Sequence, residues 1–188
     1  MSLGGLRAAL QRVEASGERV LHVGTPLSPD CELARHHARH HASVPAVRTA
    51  RDEPVVLYTA VRGAAMPVLM GLFGQRARNR VLLPGLTHLR QRLADWPTRV
   101  DTIDWTEADD TTTMALRDGT ALTDLLPVLT HTCDDAGPYI TTGIVVAEGP
   151  QGEVSASVHR LCVKGPQELT IWMLPGRRLR LSLQWAAP

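Results

Sequence analysis

Apolar positions along the first hundred residues alternate between two periods. Leu6, Leu10 and Val13 recur at helical spacing among Arg7, Gln11, Arg12 and Glu14, and Ser16-Gly17 closes the segment, so residues 4–16 are predicted as an amphipathic helix. Arg19-Val20-Leu21-His22-Val23 is short, β-rich and bounded by Gly17 and Gly24, which predicts a strand. Pro26, Pro29 and Asp30 then form a turn and a helix start, with a second helix predicted over 31–42. Val55-Val56-Leu57-Tyr58 predicts a second strand, and residues 67–74, PVLMGLFG, an apolar element running into a glycine turn. Residues 86–94 place Leu86, Leu89 and Leu93 on one helical face.

The texture changes near residue 101. Asp101 to Asp110 is acidic, and Arg117-Asp118-Gly119-Thr120 has the composition of a turn. Beyond it come β-branched runs separated by turn residues: 125–129, 139–147, 154–163 and 169–174. Residues 141–147 and 155–161 are expected to face each other across the Gly149–Gly152 turn as a hairpin. The expected class is α+β: an α/β region over 1–100, a polar linker over 101–120 and an antiparallel β meander over 121–188.

Composition narrows the class of function. The 188 residues are 44% apolar and 21% charged, in the range of folded globular proteins and unlike a disordered or coiled-coil chain. Twenty basic residues against nineteen acidic ones leave a formal charge of +1, so no global field recruits nucleic acid or an anionic membrane, and neither is expected as a partner. The N-terminus lacks the apolar stretch of a secretory signal, and no segment approaches the roughly 18 apolar residues of a membrane helix. A cytoplasmic location is therefore the expectation. Cys31, Cys133 and Cys162 are far apart, outside any CxxC spacing, and read as reduced packing residues.

Candidate chemistry is sparse. His36/His40 and His37/His41 stand at the i, i+4 spacing that can clamp a metal, but Arg35 and Arg39 interleave positive charge, and a solvated helix face is the preferred reading. No Walker loop, GxGxxG fingerprint or GxSxG elbow is present. Arg177, Arg178 and Arg180 could hold a phosphate or simply be solvated. Arg160 lies in the apolar run Val158-His159-Arg160-Leu161-Cys162-Val163, where alternation points it to the same face as Val158 and Cys162. On a buried strand face it would be either a paired structural charge or a ligand group.

The order of motifs carries a resemblance. Asp134-Asp135-Ala136-Gly137-Pro138-Tyr139-Ile140-Thr141-Thr142-Gly143, then Val158-His159-Arg160, then Leu174-Pro175-Gly176-Arg177 resembles the UbiD-like decarboxylases. Leu27-Ser28-Pro29-Asp30-Cys31-Glu32-Leu33-Ala34 and Pro67-Val68-Leu69-Met70-Gly71-Leu72-Phe73-Gly74 are similar to that family's N-terminal region. The resemblance covers nearly all of this chain and only the front of a typical member.

It implies reversible decarboxylation of aromatic or α,β-unsaturated acids with prenylated FMN, and a flavin-reductase-like split β-barrel for about residues 115–188. It also implies cofactor contacts from Thr141, Thr142, Ser155, His159, Arg177 and Arg178, and a catalytic Arg160 that orients a carboxylate by a bidentate pair. The family's metal ligands, an Asn, a His and a Glu, fall at Ser155, at Arg178 and past Pro188, so no metal site is expected; Arg178 could instead supply the positive charge that the metal gives a phosphate. Two acid–base glutamates of the family also lie downstream. Three functions stay open: a piece of a split enzyme whose separately encoded partner supplies the glutamates, a stand-alone relative with changed activity, and a non-catalytic scaffold. Exposed strand edges would favour pairing with that partner or with a second copy.

Overall fold

The computed structural model describes residues 5–40, 53–83, 119–149 and 152–176. These fall into two compact units. The first holds 5–25, 37–40, 53–60 and 67–83, and the second 26–36, 61–66, 119–149 and 152–176. Each carries one small three-stranded sheet, so the class is mixed α+β.

In the first unit, helix α1 (Leu6–Ala15) precedes β1 (Val20–Val23), as the periodicity predicts. Strand β2 (Val55–Tyr58) pairs parallel to β1, and β3 (Val68–Met70) pairs antiparallel to β2. A parallel neighbour requires a crossover, and helix α2 (Glu32–Ala38) lies on that connection. Val13 of α1, Val55 of β2, Leu72 and Leu82 form a buried cluster, with Leu10, Val20 and Leu69 packed against it. Burying each such side chain contributes about 1.5–3 kcal/mol.

Helix α3 (Arg76–Leu82) is an element the hydrophobic pattern does not predict. It supplies Leu82 to the core together with Arg78, which is completely buried. Arg78 donates twice to Glu18 Oε2, at 3.2 and 3.0 Å, and once each to the carbonyls of Gly71 and Glu53. One guanidinium thus ties the segment before β1, the segment before β2 and the turn after β3. Gly71 sits at φ 77°, and a Cβ there would lie 2.6 Å from the Pro54 carbonyl oxygen, so only glycine fits this crossing.

The histidine cluster departs from its expectation. Helix α2 ends at Ala38, so His40 is off the helix and His41 lies outside the described residues. His37 is buried rather than solvated, with Nε2 3.7 Å from Glu53 Oε1 and its ring edge-on to Tyr58. Burial pushes the Tyr58 hydroxyl up to about 12. The helix predicted over 86–94 and nearly all of the 101–120 linker also lie outside the described residues.

In the second unit, β4 (Tyr139–Glu148), β5 (Val154–Gly165) and β6 (Glu168–Ile171) form an antiparallel meander in that order. The predicted hairpin is present, with Ile144 opposite Val158 and Ala147 opposite Ser155. Two runs differ from expectation. Residues 125–129 are not a strand: one helical turn, α4 (Leu122–Leu125), occupies the start, its Ala121 N–H donating to Asp124 Oδ2, and Leu129 makes a single bridge to Tyr139. Pro127 lacks the N–H that a ladder needs. Strand β6 stops at Ile171, short of the predicted 174. Isolated parallel bridges join Leu27 to Val61 and Asp30 to Thr130 within this unit.

Replacing Arg78 by Met is expected to destabilise the protein by about 3–5 kcal/mol, because Glu18 and two carbonyls lose their donor. Urea unfolding of the variant measures this; a loss under about 1 kcal/mol would contradict the role given to Arg78.

Candidate functional site

The site begins with an irregularity in β4. Ile140 pairs with Leu161 and Gly143 with His159, so β4 spends one residue more than β5 between the two pairs, a bulge at Thr141–Thr142 facing Arg160. Both threonines are exposed. Gly143 follows directly; a Cβ there would come within 2.7 Å of Leu161 Cδ1, so its absence lets Leu161 lie across the bulged strand.

Strand alternation sorts β5 into two sets. Ser155, Ser157 and His159 lie on one face, where Ser157 Oγ and His159 Nε2 are hydrogen-bonded at 2.8 Å. Ala156, Val158 and Arg160 lie on the other, so Arg160 takes the face that alternation predicts. The expected burial of that face is not found at Arg160, whose side chain is 59% exposed. Among the described residues β6 pairs with β5 only from Leu161 onward, leaving residues 154–160 without a strand on that side. Cys162, two positions further along, is buried.

Arg160 is nonetheless oriented. Its guanidinium carbon stands 4.3 Å from the centre of the Tyr139 ring, and Nη2 lies 3.8 Å from Asp135 Oδ1. Asp135 in turn accepts the backbone N–H groups of His131 at 3.1 Å and Thr132 at 3.0 Å. The Thr132 bond leads in holding the Asp135 carboxyl below the usual range; the His131 bond and the Arg160 charge add to it. The Tyr139 hydroxyl is raised, chiefly by its hydrogen bond with Cys162.

These groups open onto a groove of about 890 Å³ along the free side of β5. Tyr139, Ser155, His159, Arg160, Trp172 and Gly176 are on its wall. It therefore gathers a cation, an imidazole, a hydroxyl and two aromatic rings, a mixture suited to a flat anionic ligand, and its volume is within the range of small-molecule sites. Of the predicted residues, Ser155, His159 and Arg160 come together here, whereas Thr141 and Thr142 are not on the wall. Arg177 and Arg178 lie outside the described residues, immediately after Gly176. Tyr139, Asp135 and Trp172 are additions. The first two stand inside the Asp134–Gly143 motif, and their pairing with Arg160 depends on the bulge rather than on spacing.

The sequence matches two family models in tandem. Residues 10–95 match the 3-octaprenyl-4-hydroxybenzoate carboxy-lyase N-terminal domain, and residues 105–187 match the Rift-related domain of the same enzyme. The chain belongs to the UbiD family. An anhydromevalonate phosphate decarboxylase of Methanothermobacter thermautotrophicus is 30% identical over 143 residues, which is 72% of this chain and 32% of that one. A gallate decarboxylase of Lactiplantibacillus plantarum is 26% identical over 92% of this chain and 37% of its own. Among solved structures, an evolved dimeric form of the UbiD-class enzyme HmfF from Pelotomaculum thermopropionicum, in complex with prFMN, superposes with a TM-score of 0.75 at 28% identity, covering 95% of this chain and 40% of that one. The chain thus spans about a third to two fifths of the length of the UbiD relatives it matches.

Two predictions follow from the geometry. Because Arg160 is exposed, its ion pair and ring contact together contribute at most about 2 kcal/mol, so Arg160→Ala is expected to keep a near-wild-type urea midpoint. A loss as large as that expected for Arg78→Met would mean that Arg160 holds the fold. Asp135 titrates lower folded than unfolded, so the stability it contributes is present above the unfolded pKa and is lost as the pH falls below roughly 4. Asp135→Asn is expected to lose that part of the acid dependence in unfolding measured between about pH 3 and 6, and an unchanged profile would contradict the assignment.

Proposed function

We propose that this chain is the N-terminal component of a UbiD-type decarboxylase that uses prenylated FMN to remove carbon dioxide, reversibly, from an aromatic or α,β-unsaturated acid. It would act with a partner, a separately encoded subunit or a second copy, that supplies acid–base carboxylates. The parts would run over residues 1–100 and 121–188, joined by 101–120, with the second forming part of a split barrel. The observation that carries the reading is the convergence of Arg160, His159 and Ser155 on one groove in a chain of this family.

The residues fit the flavin better than they fit the family's metal. Tyr139 and Trp172 offer faces to a planar ring, and His159 and Ser155 offer polar contacts. Arg177 and Arg178 are assigned to the phosphate of the same ligand, whereas Thr141 and Thr142, off the groove wall, are not given a contact with it. Ser155 is a neutral oxygen, and a guanidinium at Arg178 cannot ligate a cation, so these two positions do not fit the family's metal. When bound, the flavin would supply the electron sink for decarboxylation. Arg160 would hold the substrate carboxylate by a two-pronged pair, exchanging it for Asp135, whose 3.8 Å separation is a loose contact that a closer carboxylate can outcompete.

The need for a partner rests on two observations. Arg160 meets Asp135, and Asp135 is held by a turn rather than free to carry a proton. Ile144, Val146 and Val158 also form an exposed apolar stripe on one face of the sheet, of the kind that another polypeptide or a second copy would cover.

Co-expression with neighbouring reading frames and a prenyl-flavin source tests the proposal. A yellow complex that releases carbon dioxide from such acids is expected, and Arg160→Ala should cut its turnover by about 10²–10³-fold with an unchanged melting temperature. A colourless chain that co-purifies with nothing would overturn the reading and favour a scaffold.

A further inference from the structure

The second unit brings together two thiols that stand 102 positions apart. Cys133 Sγ lies 3.9 Å from Cys31 Sγ, and Arg35 Nη2 donates to Cys133 Sγ at 2.7 Å. Backbone bonds hold the two segments against each other: Cys31 N–H donates to the Thr130 carbonyl at 3.0 Å, and Thr130 N–H to that of Pro29 at 3.1 Å. Cys133 is exposed, whereas Cys31 is buried behind it. Cys31 also has φ 58°, the one positive φ on a non-glycine residue among the described residues. A side chain kept in that strained region marks a position whose geometry is fixed by its neighbours, and such positions concentrate at functional sites.

We propose that Cys31 and Cys133 form a reversible thiol–disulfide pair, oxidised by a hydroperoxide at Cys133 and closed by Cys31. Arg35 sets a positive charge against the sulfur that must carry negative charge when it attacks. In the first step the Cys133 thiolate attacks the O–O bond; an S–O bond forms, O–O breaks, and the departing hydroxide or alkoxide takes up a proton as water or alcohol. In the second, the Cys31 sulfur attacks that of Cys133; S–S forms, S–O breaks, and the hydroxide leaves as water with the Cys31 proton. The two thiols lose two electrons and the peroxide gains them. Burial, with hydrogen bonds to Cys133 and Asp30, pushes the Cys31 thiol up to about 11, which keeps it protonated at neutral pH and leaves the first attack to Cys133. Closure brings the sulfurs from 3.9 Å to about 2.05 Å. Small thiols would reverse it by exchange. None of this depends on flavin binding or decarboxylation.

The full chain, fully reduced, is treated with stoichiometric hydrogen peroxide, alkylated, and mapped by mass spectrometry without reductant. An intramolecular Cys31–Cys133 link is expected, with Cys162 still alkylated and the link removed by dithiothreitol. Cys31→Ser should leave a sulfenic acid on Cys133 that dimedone captures, and Arg35→Gln should slow Cys133 alkylation near neutral pH by about tenfold. A link through Cys162, links only between chains, or wild-type Cys133 alkylating no faster than in the urea-unfolded chain would each overturn the proposal. The mapping of wild-type protein needs no variant to fold.

Discussion

The antiparallel pairing of β4 with β5 is the constraint on which the candidate site depends. Its ladder runs from Tyr139 opposite Cys162 to Glu148 opposite Val154, and the polar side chains that β5 gives the groove hang from it. A sheet of this kind offers a ligand two different surfaces, since adjacent residues point to opposite sides. Here the hydroxyl and imidazole set is separated from the guanidinium by a single peptide step, and the free side of β5 lets both reach one groove. Pairing of β6 along the whole of β5 would have taken up the backbone groups that now edge this groove. The short β6 is therefore part of the site's architecture as much as the long β5 is.

Two arginines show how differently the same side chain is used. Arg78 is wholly buried, and its donors go to a carboxylate and two carbonyls, so it substitutes for core. Arg160 is open to solvent and steered by a ring and a distant carboxylate, so its charge remains free to take a new partner. A guanidinium bound on all sides stabilises, whereas one held loosely in a fixed direction is available for recognition.

What could be read from the chain follows the same division. Strands β1, β2, β4 and β5 are legible because β-branched runs between turn residues have few other uses. The register of the hairpin is legible from the turn as far as Gly143, since Gly149 and Gly152 bracket that turn, but not beyond it: spacing sets residue 141 opposite 161, and the bulge puts Ile140 there instead. Helix α3 is not, because its sequence RARNRVL buries an arginine on the face where a pattern search looks for leucine. His37 escapes for a related reason: its burial is set by Glu53 and Tyr58, both well removed along the chain. Motif order singles out Ser155, His159 and Arg160, which lie on the groove wall. It does not single out the partners of Arg160, because a bulge decides that Tyr139 faces it, and a bulge has no periodicity of its own. Cys31 and Cys133 meet through bridges between segments that no local spacing encodes.

The bulge at Thr141–Thr142 has a consequence for how this sequence can drift. Point substitutions at the two exposed threonines change the chemistry of one small patch and leave every other side chain where it was. Deleting one threonine would remove the extra residue, and the other would sit opposite Arg160 in a regular ladder, with Ile140 still opposite Leu161 and Gly143 still opposite His159. Every other side chain of the hairpin would keep its face, and what would go is the local bend and added twist that the bulge gives β4 beside Arg160. Removing both would leave Arg160 without a counterpart and force one side of the hairpin to slip by a position, which turns its apolar set to the other face. In that sense the gene tolerates one missing codon here and does not tolerate two.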